Sequence, residues 1–448
     1  MFETLKNAFK TKEIRVKIWI TLALILVYRI GCFIPVPTLN HALLAEKIAS
    51  SAATDFLGLL SSITGGSLQN ATVFALGILP FINAFIIMQL LTLVIPALER
   101  MSKEGEAGRN KLTQITRIVA IVLGVVQAIG VVVAFQSSIN SFEFELAWKH
   151  PYISMAFTIV ILVAGSTMVM WLSERITEHG IANGSSIIIF VGILATAGTT
   201  MANSLKIIIE SGEWAHIWNI IGYILIVVAI FVFIVFIDGS ERRITVQYSK
   251  QIKGNKMYGG QTTYIPIRVN GSGVMPIIFA SSLIMFPQMI ISLFFSDAQV
   301  NGTYVAVWYA QYLGSGTAVY YVALALFILA FSYFYAQIQF NPDDVSRNIQ
   351  QYGGFIPGIR AGKPTSDFLR KINNRITLFG AIFLMIIALV PTFVFAALSG
   401  EYSQGAFDLK FNNAFSATGL LIVVSVALEI NKQLESQIMM KHYKGFLK

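Results

Sequence analysis

Charge is what this 448-residue chain most lacks: Asp, Glu, Lys and Arg make up 12% of it, against 55% hydrophobic residues. A soluble domain carries about 25% charged residues. So little polar surface cannot cover the chain in water, and lipid is its expected solvent. Cysteine is nearly absent. Cys32 alone permits no intramolecular disulfide and leaves the redox compartment unread. No cleavable leader is expected, because a polar, basic start runs into an apolar stretch long enough to span, with no small-residue cleavage site after it.

Chemistry is scarce too. Ionisable residues hardly enter the apolar runs. Arg29 sits near the outer end of the first, and Glu174, Asp238 and Glu429 lie at cytoplasmic ends. A coupled pump or transporter needs acids or histidines at the midplane, and none is present there. There is no Gly-Lys-Ser/Thr phosphate loop, no HExxH and no Cys/His cluster, so neither nucleotide hydrolysis by that route nor a metal site is expected, and no cofactor.

What the chain has in abundance is apolar length. A helix needs about 20 mainly apolar residues to cross the hydrocarbon layer. Ten runs qualify, at roughly 18–37, 72–96, 116–135, 152–172, 185–202, 217–237, 273–295, 318–336, 376–398 and 413–431. Helix is the expected form, since lipid offers an open backbone no partners. Of 32 Lys and Arg, 27 fall on one side: in the N-terminus, in the loops 97–117, 173–184, 238–271 and 337–375, and in the C-terminus. The opposite loops hold Lys47, Lys149, Lys206 and Lys410. The positive-inside rule puts both termini in the cytoplasm.

Two of these loops, 238–271 and 337–375, are long, basic and rich in turn residues. A topology signal needs only a few charges, so their length favours docking of an acidic or polyanionic partner. Five spans lie on each side of the external stretch 203–216, the expected hinge loop, and an odd number per half makes the halves inverted. The halves are 1–202 and 217–436, followed by a basic tail, 437–448. One further segment, TDFLGLLSSITGG (54–66), is apolar but too short to cross. Thr54 or Asp55 can cap its start and Gly65-Gly66 its end, which suits a re-entrant or external helix. Ten spans, large docking loops and no chemistry point to a passive conduit driven by a partner. A secondary transporter with a midplane small-molecule site is the alternative, and an insertase or scaffold without a continuous pore is a third reading.

Several stretches carry a family resemblance. They are RIGCFIPVP (29–37), GILPFINAFIIMQLLTLVIP (77–96), SERITEHGIANGSSIIIFVGI (173–193), VNGSGVMPIIFASS (269–282), NPDDVSRNIQQYGGFIPGIRAG (341–362) and ATGLLIVVSVALE (417–429). In collinear order from about residue 15 to 445, they resemble the SecY family, the channel-forming subunits of protein translocases. The resemblance implies an all-α membrane fold: a clamshell of ten helices around an hourglass pore with a re-entrant plug. Such a pore conducts unfolded secretory chains across the cytoplasmic membrane and releases membrane helices sideways into lipid. It implies SecE and SecG as subunits, with the motor ATPase SecA or a ribosome, through its rRNA, on the cytoplasmic loops. It also implies contact with signal peptides, nascent chains and membrane lipids.

By the same resemblance, Ile82, Ile86, Ile189, Ile278 and Ile422 form the pore ring, and Ser185 stands where the family has an aliphatic sixth member. The plug would be 54–66, with Asp55, Phe56, Leu57, Leu60, Ile63, Gly65 and Gly66. The lateral gate would use Gln89 and Thr92, placed to hydrogen-bond across the seam, with Pro276 and Pro287 allowing the seventh helix to bend. Arg242, Arg243 and Arg360 match docking positions at loop tips. A ring of branched apolar side chains dewets and blocks ions when empty, yet has no fixed hydrogen bonds to break when a chain passes.

Overall fold

The computed structural model describes residues 9–37, 64–136, 151–211, 217–248, 251–253, 256–258, 262–271, 273, 275–294, 299–300, 303–314, 317–399 and 417–445. In chain order the helices are α1 (Lys12–Gly31), α2 (Leu79–Val94), α3 (Pro96–Lys103), α4 (Glu106–Gln136), α5 (Pro151–His179), α6 (Gly184–Ser211) and α7 (Ile217–Asp238). Then come strands β1 (Glu241–Tyr248), β2 (Gln251–Lys253), β3 (Lys256–Tyr258) and β4 (Thr262–Arg268), followed by α8 (Met275–Phe294), β5 (Gln299–Val300) and β6 (Thr303–Tyr304). The chain closes with α9 (Val305–Leu313), α10 (Ala318–Gln339), α11 (Pro342–Gln351), β7 (Gly354–Phe355), α12 (Lys363–Ser399) and α13 (Ala417–Gly445).

A helix stands at each of the ten apolar runs. By length and composition, four helices among the described residues suffice to cross a membrane, or five if the bent pair α2–α3 is one span. Shorter apolar stretches lie in α6, α7 and α8.

Several boundaries differ from the sequence reading. The first helix ends at Gly31 rather than 37. Pro35 and Pro37 cannot continue it. The backbone runs on extended, with Val36 N–H donating to Ala71 O (2.8 Å) and Val73 N–H to Ile34 O (3.0 Å). The second helix starts at Leu79 rather than 72, because residues 64–78 form a run of turns. Gly65, Gly66, Gly77 and even Ala71 take positive φ there, which breaks a helix. These turns nest between helices that carry glycine where they touch. A Cβ on Gly31 would lie 2.0 Å from the Phe74 ring, and one on Gly165 2.0 Å from Val73 O. Finally, α6 continues to Ser211, so helix fills most of the stretch read as a hinge loop. At the other end, α13 carries the basic tail on to Gly445 as helix.

Chain direction turns by 101° between α2 and α3, at Ile95 and Pro96. The main core joins α1, α2, α5, α6, α7, α8, α10, α12 and α13 through residues such as Tyr28, Ile82, Leu172, Ile188, Ile234, Ile277, Ile328, Leu384 and Val424. Outside it, the two long basic loops fold into one unit. Strand β1 pairs antiparallel with β4 along its length, from Glu241 opposite Arg268 to Gln247 opposite Thr262. The other edge of β1 takes β7, with Gln247 opposite Phe355 and Tyr248 opposite Gly354. Beneath this β4-β1-β7 sheet lies a small core of Ile244, Val246, Ile267, Ile349, Ile356 and Leu369, contributed by the sheet, α11 and the start of α12.

Candidate functional site

All five isoleucines of the expected ring belong to the main core. Ile82, Ile86, Ile189 and Ile422 are among its buried residues, and half-buried Ile278 packs against that core. They come from four helices. Ile82 and Ile86 share one face of α2, being one turn apart. Ile189 lies on α6, Ile278 in the first turn of α8, and Ile422 on α13.

Above this cluster opens a cavity of about 970 Å³. Ile82, Ile189 and Ile278 form part of its lining, whereas Ile86 and Ile422 do not reach it. Its two walls differ. One is apolar, from Phe81, Phe85, Met88, Met275, Phe279 and Ile338; the other carries Ser173, Thr177, Asn183, Ser185 and Ser186. Ser185 therefore belongs to the polar wall. Its hydroxyl donates to Asn183 Oδ1 (2.8 Å), and its N–H reaches the same oxygen (3.1 Å), so Asn183 caps α6 there. At the rim the charges are paired: Lys103 with Glu99 (2.6 Å), Arg117 with Glu174 (2.7 Å) and Arg175 with Glu178 (2.9 Å). The hydrogen bond from Lys103, with its charge, holds the Glu99 carboxyl below its ordinary range.

Below the cluster, on the side of the α1 C-terminus, residues 64–66 close in. The Tyr28 hydroxyl donates to Thr64 O (3.4 Å) and Arg29 to Gly65 O (3.5 Å). Arg29 thus occupies the last turn of α1, where a cation suits the helix dipole, and its guanidinium lies over the Phe33 ring (5.6 Å). Gly65 abuts Gly192 of α6, whose Cα would lie 3.0 Å from an added Cβ. Gly192 is one helical turn beyond Ile189, so the foot of the expected plug stands next to the ring. Gly65 and Gly66, at φ 71° and 82°, take the left-handed conformation that ends a helix. Asp55, Phe56, Leu57, Leu60 and Ile63 lie outside the described residues.

The expected gate residues divide. Gln89 and Thr92 both line the cavity. Thr92 does not reach across the seam, because its hydroxyl donates to Gln89 O within its own helix (2.7 Å). Gln89 lies near the Tyr335 hydroxyl of α10, and its Oε1 is buried without a hydrogen-bond partner. Pro276 is no kink: it is the second residue of α8, where a missing N–H costs nothing. Pro287 lies inside α8 and removes a ladder hydrogen bond. Helix α8 packs against α10 and α4 and touches α2.

Of the expected docking arginines, Arg242 and Arg243 belong to the β4-β1-β7 sheet and Arg360 to the turn after it. Arg242 and Arg243 are exposed on β1; Arg243 donates to Glu241 (2.8 Å) and lies over the Tyr264 ring (4.8 Å). Arg360 is exposed in the turn after β7, and its carbonyl accepts from Thr365 (2.8 Å). That the two loops share a sheet escaped the sequence reading, as did the buried Asp238, whose carboxylate accepts from Asn270 (2.9 Å). Their sequence signals were the alternating run RRITVQY and an acid ending an apolar span.

Comparison with known proteins decides what this arrangement is. The SecY family profile matches residues 72–431. The chain belongs to the SecY family. The SecY subunit of the protein translocase of Streptomyces griseus is 41% identical over 454 residues, covering all of both chains. That of Halalkalibacterium halodurans is 40% identical over 455 residues, again covering both completely. Among solved structures, "The structure of a protein conducting channel" aligns with TM-score 0.65 at 20% identity, over 94% of this chain and 92% of that one. Sec61 in the canine ribosome-channel complex aligns with TM-score 0.60 at 19% identity, over the same shares. The fold is thus the ten-helix, two-half channel fold, and the protein is a multi-pass translocase channel subunit of the cytoplasmic membrane. Membership of this family sets the transporter reading aside.

Proposed function

We propose that secretory chains pass through the 970 Å³ cavity and then between Ile82, Ile86, Ile189, Ile278 and Ile422. The observation that carries this reading is the floor of the cavity: isoleucines from α2, α6 and α8, backed by that of α13 in one core. Contacts between such side chains are non-directional, so they seal against ions and part around any sequence. The segment 54–66 acts as the plug, its foot held by Tyr28 and Arg29. The seam of α2 and α4 against α8 and α10 is the lateral gate, with Gln89 facing Tyr335 across it and Pro287 allowing α8 to bend.

Both termini and the β4-β1-β7 sheet lie in the cytoplasm, as the distribution of Lys and Arg supports. Arg242, Arg243 and Arg360 meet a motor of the SecA kind or a ribosome, which supplies the energy, and subunits of the SecE and SecG kind complete the channel. The relative in a ribosome-channel complex supports docking of this sort. The test is single-channel conductance after deletion of 54–66. A plugged pore leaks ions on deletion. An unchanged, silent bilayer would show that no continuous pore lies behind that segment.

A further inference from the structure

A buried polar knot sits where the cytoplasmic sheet meets the membrane bundle. Asp238, the last residue of α7, is 8% exposed, and Asn270, between β4 and α8, is 5% exposed. Asn270 Nδ2 donates to Asp238 Oδ1 (2.9 Å). From α13, the Lys432 ammonium donates to the Asp238 carbonyl (3.3 Å) and stands 3.9 Å from its carboxylate. Asp238, through its carboxylate and its backbone carbonyl, therefore ties together the end of α7, the foot of α8 and the middle of α13. The foot of α8 has little freedom of its own. Val269 N–H donates to Ser240 O (3.1 Å), and Gly380 of α12 lies so close that a Cβ there would come within 2.4 Å of Val269 O.

Two of the knot's members lead straight to the constriction. Asn270 precedes Ile278 by eight residues, across the start of α8. Lys432 follows Ile422 by ten residues on one continuous helix, about 15 Å along its axis. Yet α8 and α13 pack mainly on different neighbours: α8 on α10 and α4, α13 on α7, α12 and α6. The knot bridges them. A charge taken out of water is kept only when it is paired and hydrogen-bonded, and removal of one partner leaves the rest uncompensated.

We infer that Asp238 is a positioning residue for the closed pore, fixing through Asn270 and Lys432 the spacing between Ile278 and Ile422. This rests on the reading of those isoleucines as the constriction. Asp238 touches no passing chain; it acts by holding two ring-bearing helices in register. Because the knot also forms the root of the β1–β4 hairpin, a force on that hairpin reaches α8 through Asn270.

The experiment uses the complete translocase in lipid bilayers without client, with Cys32 replaced by Ser and spin labels at the exposed positions Leu283 on α8 and Ser436 on α13. Asp238→Ala shifts and broadens the label-to-label distance. It also raises resting ion conductance about tenfold, the change that 1.4 kcal/mol makes in a two-state equilibrium. Asp238→Glu restores both. Lys432→Gln, which leaves the Asn270 bond intact, gives an intermediate effect and serves if Asp238→Ala does not fold. Unchanged distances in both variants overturn the inference. So does a changed distance with normal conductance while Ile278→Asn leaks, since the spacing then does not reach the ring. If Ile278→Asn itself stays tight, the constriction reading fails, and the distances alone decide whether Asp238 spaces the helices.

Discussion

The proposed constriction and the β4-β1-β7 sheet are built in opposite ways. The proposed constriction consists of isoleucines from four helices of one apolar core, whose side chains make no hydrogen bonds that would orient it. The sheet has a seven-pair register between β1 and β4, a second edge on β7, and beside it an ion pair, Asp343 with Arg370, that crosses from α11 to α12. Apolar contact is worth about as much per area in one arrangement as in the next, so the constriction can part and re-form. Directional bonds are lost together when geometry changes, so the sheet moves as one piece. A soft seal next to a stiff handle suits a channel that is opened from outside.

That contrast can be broken or sharpened by substitution. The largest effect is expected in the stiff part. Leu369 is fully buried beneath the sheet, and Leu369→Ala should cost about 2–5 kcal/mol of local stability. Hydrogen exchange across β1 and β4 should accelerate, while resting conductance of the pore stays low.

Ile278→Asn comes next. Burying an unpaired amide costs roughly 1–3 kcal/mol, borne by the dry closed state and not by the wet open one. Opening should rise by about one to two powers of ten. Export of a reporter with a defective signal sequence measures it, with Leu283→Asn, at an exposed site on the same helix, as the silent control. Equal behaviour of the two would remove Ile278 from the constriction.

Arg360→Glu should leave folding intact, because the side chain is exposed and only its carbonyl is used locally. Repulsion at the docking surface should lower motor-driven export severalfold and make it more salt-dependent. Normal motor-driven export by the purified mutant would remove Arg360 from the docking surface.

The smallest effect concerns Asp343. The Ser366 hydroxyl bonds to its carboxyl, and the charges of Arg370 and Arg347 add to this, so its pKa lies below the ordinary carboxylate value. A carboxyl with a lowered folded pKa stabilises above its unfolded value and loses that contribution as pH falls through the folded one. Protection against exchange at the N-terminus of α11, relative to the intrinsic rate at each pH, should therefore fall below about pH 4 in the parent chain. In Asp343→Asn it should be insensitive to pH there.

Legibility in the sequence followed the same division. The ten membrane helices could be read because apolar length is a local property that lipid enforces. Their ends could not always be read. VFALGIL looks like the start of a span, and only the glycine at position 77 hints at the turns that occupy it. The cytoplasmic sheet was hidden because β1 and β7 lie about a hundred residues apart, and polar loops advertise no pairing. The expected ring residues rest on family resemblance alone, since isoleucine is ordinary in a membrane helix. Asp238 could be seen as an acid at a span's end, but its partners Asn270 and Lys432 lie 32 and 194 residues away.

The right-angled elbow at Ile95 and Pro96 makes α2 and α3 a crank. Helix α3 is eight residues long, an arm of about 12 Å standing at 101° to α2. Rolling α2 by 10° about its own axis leaves Ile82 and Ile86 nearly in place but sweeps the far end of α3 by about 2 Å. That end carries the Lys103–Glu99 pair, at the cavity rim. Small rotations inside the bundle are thus written, enlarged, at the rim of the cavity.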